Sequence, residues 1–361
     1  ERFLPQHSAT LSSGATQNGY WPLRTSSRWQ VCDGFSNAML NRAARRRSHT
    51  WVQPSEVQGE RRLERRHTSI MMTRCGLSRG LSRVRRRLLI ELPEAFVIAE
   101  QVRETVAGKR IAQAVANASP HKFAWYTGDP AEYNGRLAGR TVTDARSLGG
   151  AVEILADDML LSVSAPLRFH TQGGKRPKKH QLLVEFGDGT AISSCAQMWG
   201  GFFCSPADQE GGWADRQMAK SHPSPLAAAF DHVYFDSLLV TDMSKLSTKA
   251  FLATGQRIPG LGNGVLQDIL WTARIHPKCM MDSLSGEQID RMYSAVKQVL
   301  ADMTEQGGRD TEKDLFWQPG GYRTVLSRNT VGQPCPVCKT VIRKEAYLGG
   351  SIYYCDGCQP L

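Results

Sequence analysis

Two groups of residues in this chain have types and spacings that could do chemistry. The first is a cysteine quartet, Cys335-Pro-Val-Cys338 and, sixteen residues on, Cys355-Asp-Gly-Cys358. Two CxxC pairs at this separation bring four thiolates into a tetrahedron around one Zn²⁺ if the intervening chain folds back as a hairpin. Tyr353-Tyr354 suits the returning strand and Gly349-Gly350 the turn. A pair of disulfides is the alternative the same residues allow. A metal hairpin this short cannot build a large active site, so it serves as a binding device attached to something else. The second group is Ile258-Pro-Gly-Leu-Gly-Asn263-Gly264, which empties into the apolar helix-like run Val265 to Ala273. Its glycines let the backbone approach a bulky anion, and the helix N-terminus offers N–H groups and a positive dipole end to a phosphate. Asn263 adds a side-chain donor. The plainer alternative is a corner between two helices.

These groups need a scaffold, and 361 residues suffice for two or three domains with buried cores. The other five cysteines (Cys32, Cys75, Cys195, Cys204, Cys279) show no pairing rhythm, which points to a reducing cytoplasm. No apolar run approaches the roughly 20 residues needed to span a bilayer, so no membrane role is expected. The formal charge is +11, but residues 1–89 hold 17 Arg, no Lys and five carboxylates, a net of +12. The remaining 272 residues carry 28 basic and 29 acidic groups, a net of −1. Any nucleic-acid affinity of the body must come from a local face.

Residues 1–89 read as a disordered Arg-rich extension, with a basic nucleic-acid-binding arm as one alternative. Another is read-through of GC-rich upstream sequence, with translation naturally starting near Leu89. Order is expected from Ile90. Pro93 and Glu94 open a helix carrying Val97, Val102 and Val106. Short β-like runs follow at 109–118, 151–155, 160–165, 181–186 and 190–194, with Gly187-Asp188-Gly189 as a hairpin turn. Beyond Pro206 the pattern turns helical, at 226–230, 247–254, 265–273 and 286–303. The expected class is α+β: a β-sandwich at 90–205, a helical domain at 222–306, a loop at 307–330 and a zinc finger at 331–361.

The run Pro-Gly-Leu-Gly-Asn, a helix, then Ala273-Arg-Ile-His-Pro277 resembles the helix–two-turn–helix of the formamidopyrimidine-DNA glycosylase/endonuclease VIII family. That family ends in a finger of the form CPxC…YYCxxCQ, matched by Tyr353-Tyr-Cys-Asp-Gly-Cys-Gln359. It opens on Pro-Glu-Leu-Pro-Glu, matched by Ile90-Glu91-Leu92-Pro93-Glu94. The resemblance covers residues 90–361. It implies a base-excision repair enzyme that flips a damaged nucleotide into a cleft between the two domains, with an N-terminal amine attacking the sugar C1′ and a Schiff base leading to strand nicking. Carried over, Glu91 manages protons at the sugar, Glu94 supports the site, Lys249 faces the lesion or its phosphate, and Asn263 with Gly262 grips a phosphate. Arg309 and Lys313 would line the lesion pocket.

The sequence also departs from that pattern. The nucleophile position is Ile90 instead of proline, within the Leu89–Ile90 peptide bond. The β-domain lysine gives way to Leu148-Gly149-Gly150, the opposite-strand probe reads Met198-Trp199-Gly200-Gly201-Phe202, and the finger-tip arginine is Gly350. Trp199 and Phe202 read as core, with a wedge into the duplex as alternative; His276 reads as helix-end packing, and Lys175 to Lys179 as a basic loop. The expected function is a DNA repair glycosylase that excises oxidised or ring-opened bases, with AP-lyase activity; the alternative is a catalytically impaired lesion-binding protein of the same fold. A zinc-ribbon RNA-associated protein fits less well, because it gives the glycine turn no task. The expected cofactor is one structural Zn²⁺. The expected partner is double-stranded DNA containing a damaged base or abasic site, bound by a monomer at a bacterial nucleoid.

Overall fold

The computed structural model describes residues 90–361 apart from 197, 210–213 and 241–242; the expected extension at 1–89 lies outside the described residues. Helix α1 (Leu92–Val106) starts where sequence puts it, with Pro93 in the first turn and Glu94 at the positive end of the dipole. One face, Ala95, Ile98, Ala99, Val102 and Val106, is buried in the core of two β-sheets. Transfer of each branched side chain from water contributes about 1.5–3 kcal/mol.

One sheet has the order β1-β7-β8-β6, from β1 (Ile111–Ala116), β7 (Leu182–Phe186), β8 (Ala191–Ser194) and β6 (Leu167–His170). The other runs β2-β9-β5-β4-β3, from β2 (Ala124–Tyr126), β9 (Gly200–Pro206), β5 (Met159–Val163), β4 (Ala151–Ala156) and β3 (Val142–Leu148). Only β2 and β9 pair in parallel among the described strands. Both sheets feed one apolar core, from Ile111, Val184 and Ile192 on one to Val152, Leu161 and Phe202 on the other. The β7–β8 turn forms on Gly187-Asp188-Gly189 as expected: Gly189 has φ +78° and the Asp188 carboxylate accepts from Thr190 N at 2.9 Å. Short α2 (Tyr133–Leu137) closes one side. Helix α3 (Ala214–Ser221) is tied to β4 by a buried ion pair, Arg216 Nε to Glu153 Oε1 at 2.6 Å.

A second core is helical, built from α4 (His232–Ser237), α5 (Thr248–Ala253), α6 (Val265–Ala273) and α7 (Gly286–Glu305). Ser285 and Gln288 close a reciprocal capping box on α7. The helix expected at 226–230 is absent. Between Pro223, Pro225 and the cap Asp231, only isolated turns form (Ala227 N to Ser224 O, Phe230 N to Ala227 O), because proline denies a helix its upstream donors. A third, small core joins Leu326 and Ile342 to the cysteines of the hairpin formed by β10 (Arg343–Tyr347) and β11 (Gly350–Tyr354). Its turn falls on Leu348 (φ +47°) and Gly349 (φ +71°), one residue earlier than expected, since Gly350 pairs with Tyr347.

The segment 307–321 returns from α7 to the β-sheet core. Phe169 N donates to Leu315 O at 2.8 Å, Gln101 Oε1 accepts from Leu315 N at 2.9 Å, and the Leu315 side chain is fully buried among the β-strand residues. Leu315→Ala is therefore expected to cost about 2–5 kcal/mol, measured by urea unfolding, and to lower protection of the Phe169 amide from hydrogen exchange.

Candidate nucleic-acid interface

The glycine turn ahead of α6 is built around a carboxylate. Glu91 precedes α1 in extended conformation, and its oxygens accept from Gly264 N at 2.8 Å and Val265 N at 2.7 Å. Two N–H groups expected to be open to a phosphate are thus already held. The packing explains the glycines. A Cβ on Gly262 would lie 2.5 Å from Glu91 Oε1, and one on Gly264 would overlap the Arg309 guanidinium. Gly260 (φ +81°) accepts at its carbonyl from Leu92 N at 2.9 Å. A Cβ there would come within 2.5 Å of Gly149 C, in the turn joining β3 and β4. Gly149 and Gly150, standing where the resemblance expected a lysine, let that turn sit backbone to backbone on the glycine loop.

Glu94 lies one helical turn beyond Glu91, and a single cation serves both. Arg309 forms a fork on Glu94, Nε to Oε1 at 2.9 Å and Nη2 to Oε2 at 2.7 Å, and its Nη1 lies 3.4 Å from Glu91 Oε2. All three side chains are buried. Burial raises the Glu91 carboxyl above the usual carboxylate range, against the opposing pull of Arg309 and the two N–H donors and with the help of Glu94. Burial alone would lower Arg309, but the Coulombic hold of Glu94 and then Glu91 reverses this, and the guanidinium stays charged. Glu312, beside them, is pushed up to about 7 by burial, outweighing Arg309. Arg309, expected to line a DNA pocket, is 3% exposed and turned toward the two carboxylates. Lys313 is exposed on the same loop. Ile90 is 2% exposed and packs in the first core.

Lys249 and Asn263 are both turned toward the hairpin. Lys249, 3% exposed, donates from Nζ to Tyr347 O at 2.6 Å, and Asn263 Nδ2 donates to Ser351 O at 2.9 Å. Gln267 on α6 adds bonds to Ser351 O (3.3 Å) and from Tyr353 N (3.0 Å). His276 packs its ring at 4.6 Å against Tyr354, as expected of helix-end packing, and Gln359 Nε2 reaches Ile275 O at 2.9 Å. Asp268 accepts from Val325 N and Leu326 N at 2.9 and 2.7 Å, while burial pushes it up to about 6. Sequence reasoning missed Gln267 and Asp268. Their signal is two polar residues inside the otherwise apolar run Val265-Leu-Gln-Asp-Ile-Leu.

In the hairpin, the ligand atoms of Cys335, Cys338, Cys355 and Cys358 all lie within 4.8 Å of one another. The Cys335–Cys358 and Cys338–Cys355 Sγ separations are 3.7 and 3.2 Å, far beyond a disulfide bond of about 2.05 Å. They approach the roughly 3.8 Å edge of a tetrahedron with metal–sulfur bonds near 2.3 Å. The donor set fits a metal ion.

A family model, the formamidopyrimidine-DNA glycosylase H2TH domain, matches residues 222–314. Among curated proteins, the formamidopyrimidine-DNA glycosylase of Variovorax paradoxus is 31% identical over 282 residues, 74% of this chain and 99% of that protein. That of Mycolicibacterium paratuberculosis is 27% identical over 280 residues, covering 75% and 98%. Among solved structures, Lactococcus lactis Fpg in complex with abasic-site DNA superposes with a TM-score of 0.65 at 22% identity, covering 75% of this chain and all of that one. MutM (Fpg) from Thermus thermophilus gives 0.63 at 22%, covering 74% and 98%. The α+β fold is shared with both.

Replacing Arg309 by Met should strand two buried carboxylates and cost about 3–5 kcal/mol. Without its cation the Glu91 carboxyl, already raised by burial, rises further and regains neutrality as pH falls. The deficit against the parent chain in urea should therefore be smaller at pH 5 than at pH 8.

Proposed function

Because this chain belongs to the formamidopyrimidine-DNA glycosylase family, we propose that it recognises a damaged base in duplex DNA and excises it, acting as a monomer on oxidised or ring-opened bases. The observation that supports this most is the placement of Glu91. The residue beside the family's nucleophile position sits on the N-terminus of α6, with a carboxyl that burial makes a better proton carrier. Glu94 and Arg309 hold it there. With the chain divided, as we also propose, into 90–205, 222–306, 307–330 and 331–361, a flipped nucleotide would enter at this junction.

The chemistry requires a free amine at Ile90. That amine attacks the sugar C1′, and the bond to the base breaks with its electron pair leaving on the base, which takes up a proton. Opening of the sugar ring gives an imine, with Glu91 passing the proton to the ring oxygen. The protonated imine draws electrons from C2′; a C2′ proton departs, the 3′ phosphate leaves with its C–O pair, and water then returns the amine. In this chain the Ile90 nitrogen belongs to the Leu89–Ile90 amide, whose lone pair is delocalised. Excision thus calls for a chain whose first residue is Ile90. The buried Ile90 favours a second reading, lesion or abasic-site binding without excision.

Borohydride separates the two. Protease cleavage before Ile90 yields a free amine; this form and the whole chain are incubated with duplexes carrying 8-oxoguanine, a formamidopyrimidine, thymine glycol or an abasic site. The cleaved form should be trapped covalently, Glu91→Gln should slow trapping about 100-fold, and the whole chain should bind without trapping. Binding by the cleaved form with neither adduct nor nicking would overturn excision and leave the second reading.

We also propose that the four cysteines hold one zinc ion with a structural role. The residues that would hold it are Cys335, Cys338, Cys355 and Cys358. The ion supplies cross-linking of the hairpin and takes no part in the reaction. Chelation should release one zinc per chain, red-shift the fluorescence of Trp271, which packs against the cysteine cluster, and abolish lesion binding while far-UV circular dichroism changes little.

A further inference from the structure

Helix α6 presents a row of polar side chains to the cysteine hairpin and its base. Gln267 and Asp268 are occupied there by backbone groups of Ser351, Tyr353, Val325 and Leu326. Trp271 stands one helical turn beyond both, so it continues the row on the same side of the helix. It packs against the small core that Leu326 and Ile342 form with the cysteines. The Arg274 guanidinium lies over the indole, 5.1 Å from the ring centroid.

One atom of this row is not satisfied by protein oxygen or nitrogen. Trp271 Nε1 is buried and closes no hydrogen bond with a described residue. Buried N–H donors are seldom left so, because the water they gave up has to be replaced by another acceptor. The acceptor in reach is Cys335 Sγ. A thiol sulfur accepts weakly, whereas a thiolate bound to metal is negatively charged and draws an N–H strongly.

The charge balance of the cluster gives such a donor a task. Four thiolates outweigh the charge of one Zn²⁺, leaving the cluster anionic. Cys335, Cys355 and Cys358 are 0%, 0% and 7% exposed, so water does little to spread that charge. Donors within the hairpin answer part of it: Cys335 Sγ faces the Val337 and Cys338 amides, and Cys338 Sγ faces the Thr340 amide and hydroxyl. Trp271 reaches the same Cys335 sulfur from another element, the helix whose first amides Glu91 holds.

We infer, resting on the zinc reading proposed above, that the Trp271 indole N–H donates to the Cys335 thiolate of the metal-loaded cluster. Trp271 is then a positioning residue: it fastens one ligand of the metal to α6 and slows loss of the ion. The hydrogen bond draws electron density from sulfur, which makes Cys335 less open to attack by electrophiles while it holds the metal.

The zinc-loaded whole chain is compared with Trp271→Phe, which keeps a ring in the core and removes the N–H. Zinc is counted by atomic emission, and its release is timed by the colour of pyridylazoresorcinol. Both proteins should hold one zinc per chain with the same far-UV circular dichroism, and the variant should release it about tenfold faster. N-ethylmaleimide should also label Cys335 faster in the variant. A further measurement on the parent chain needs no variant. With NMR-active cadmium in place of zinc, one indole N–H proton should show a coupling to the metal through the hydrogen bond, which packing alone does not produce. Equal release rates, or bound cadmium with no coupled indole proton, would overturn the inference and leave the zinc site standing. A chain that retains no zinc would overturn both.

Discussion

The carboxylates of Glu91 and Glu94 enter the protein interior together, and the guanidinium of Arg309 makes that tolerable. Each contact does a second task. Glu91 satisfies the amides that open α6, Glu94 sits in the first turn of α1, and Arg309 belongs to the loop that carries Leu315 back to the sheets. Three segments far apart in sequence are thereby held in register by one charge group. The cost of burying two anions is met by a planar fork that matches one carboxylate with two parallel bonds. A lysine, with its single point of charge, could not reproduce that geometry.

The helical core and the cysteine hairpin form a second rigid assembly. Residues expected to meet DNA also hold protein to protein here. Lys249 and Asn263 both donate to hairpin carbonyls, and Gln267, His276 and Gln359 extend the seam. The hairpin's position is thus set by α5 and α6 as well as by its own small core.

Much of this was legible in the sequence. Strong periodicity located α1, α6 and α7 almost to the residue, and Gly187-Asp188-Gly189 located its hairpin. The CxxC pairs located the four-cysteine cluster. Strands such as β3, with Asp144 and Arg146 in its middle, and β9, beginning on two glycines, carry little apolar alternation and escaped notice; their pairing is decided by neighbours in the sheet. At the site, residue identity was easier to read than orientation. Arg309 looked like a DNA contact because a charge in a glycine-rich loop is ordinarily solvated. Only the convergence of two glutamates from 215 and 218 positions upstream turns it inward, and no local pattern encodes that.

That separation has a consequence for how the protein comes into being. Glu91 and Glu94 emerge from the ribosome early and have no partner until Arg309 follows, some ten to forty seconds later at about 5–20 residues per second. Until then two carboxylates lie next to a half-built core, and the α6 amides that Glu91 will cap do not yet exist. The junction of α1, α6 and the 307–321 loop therefore cannot assemble piecemeal on the nascent chain, and an incomplete translation product with a folded sheet region would still lack it.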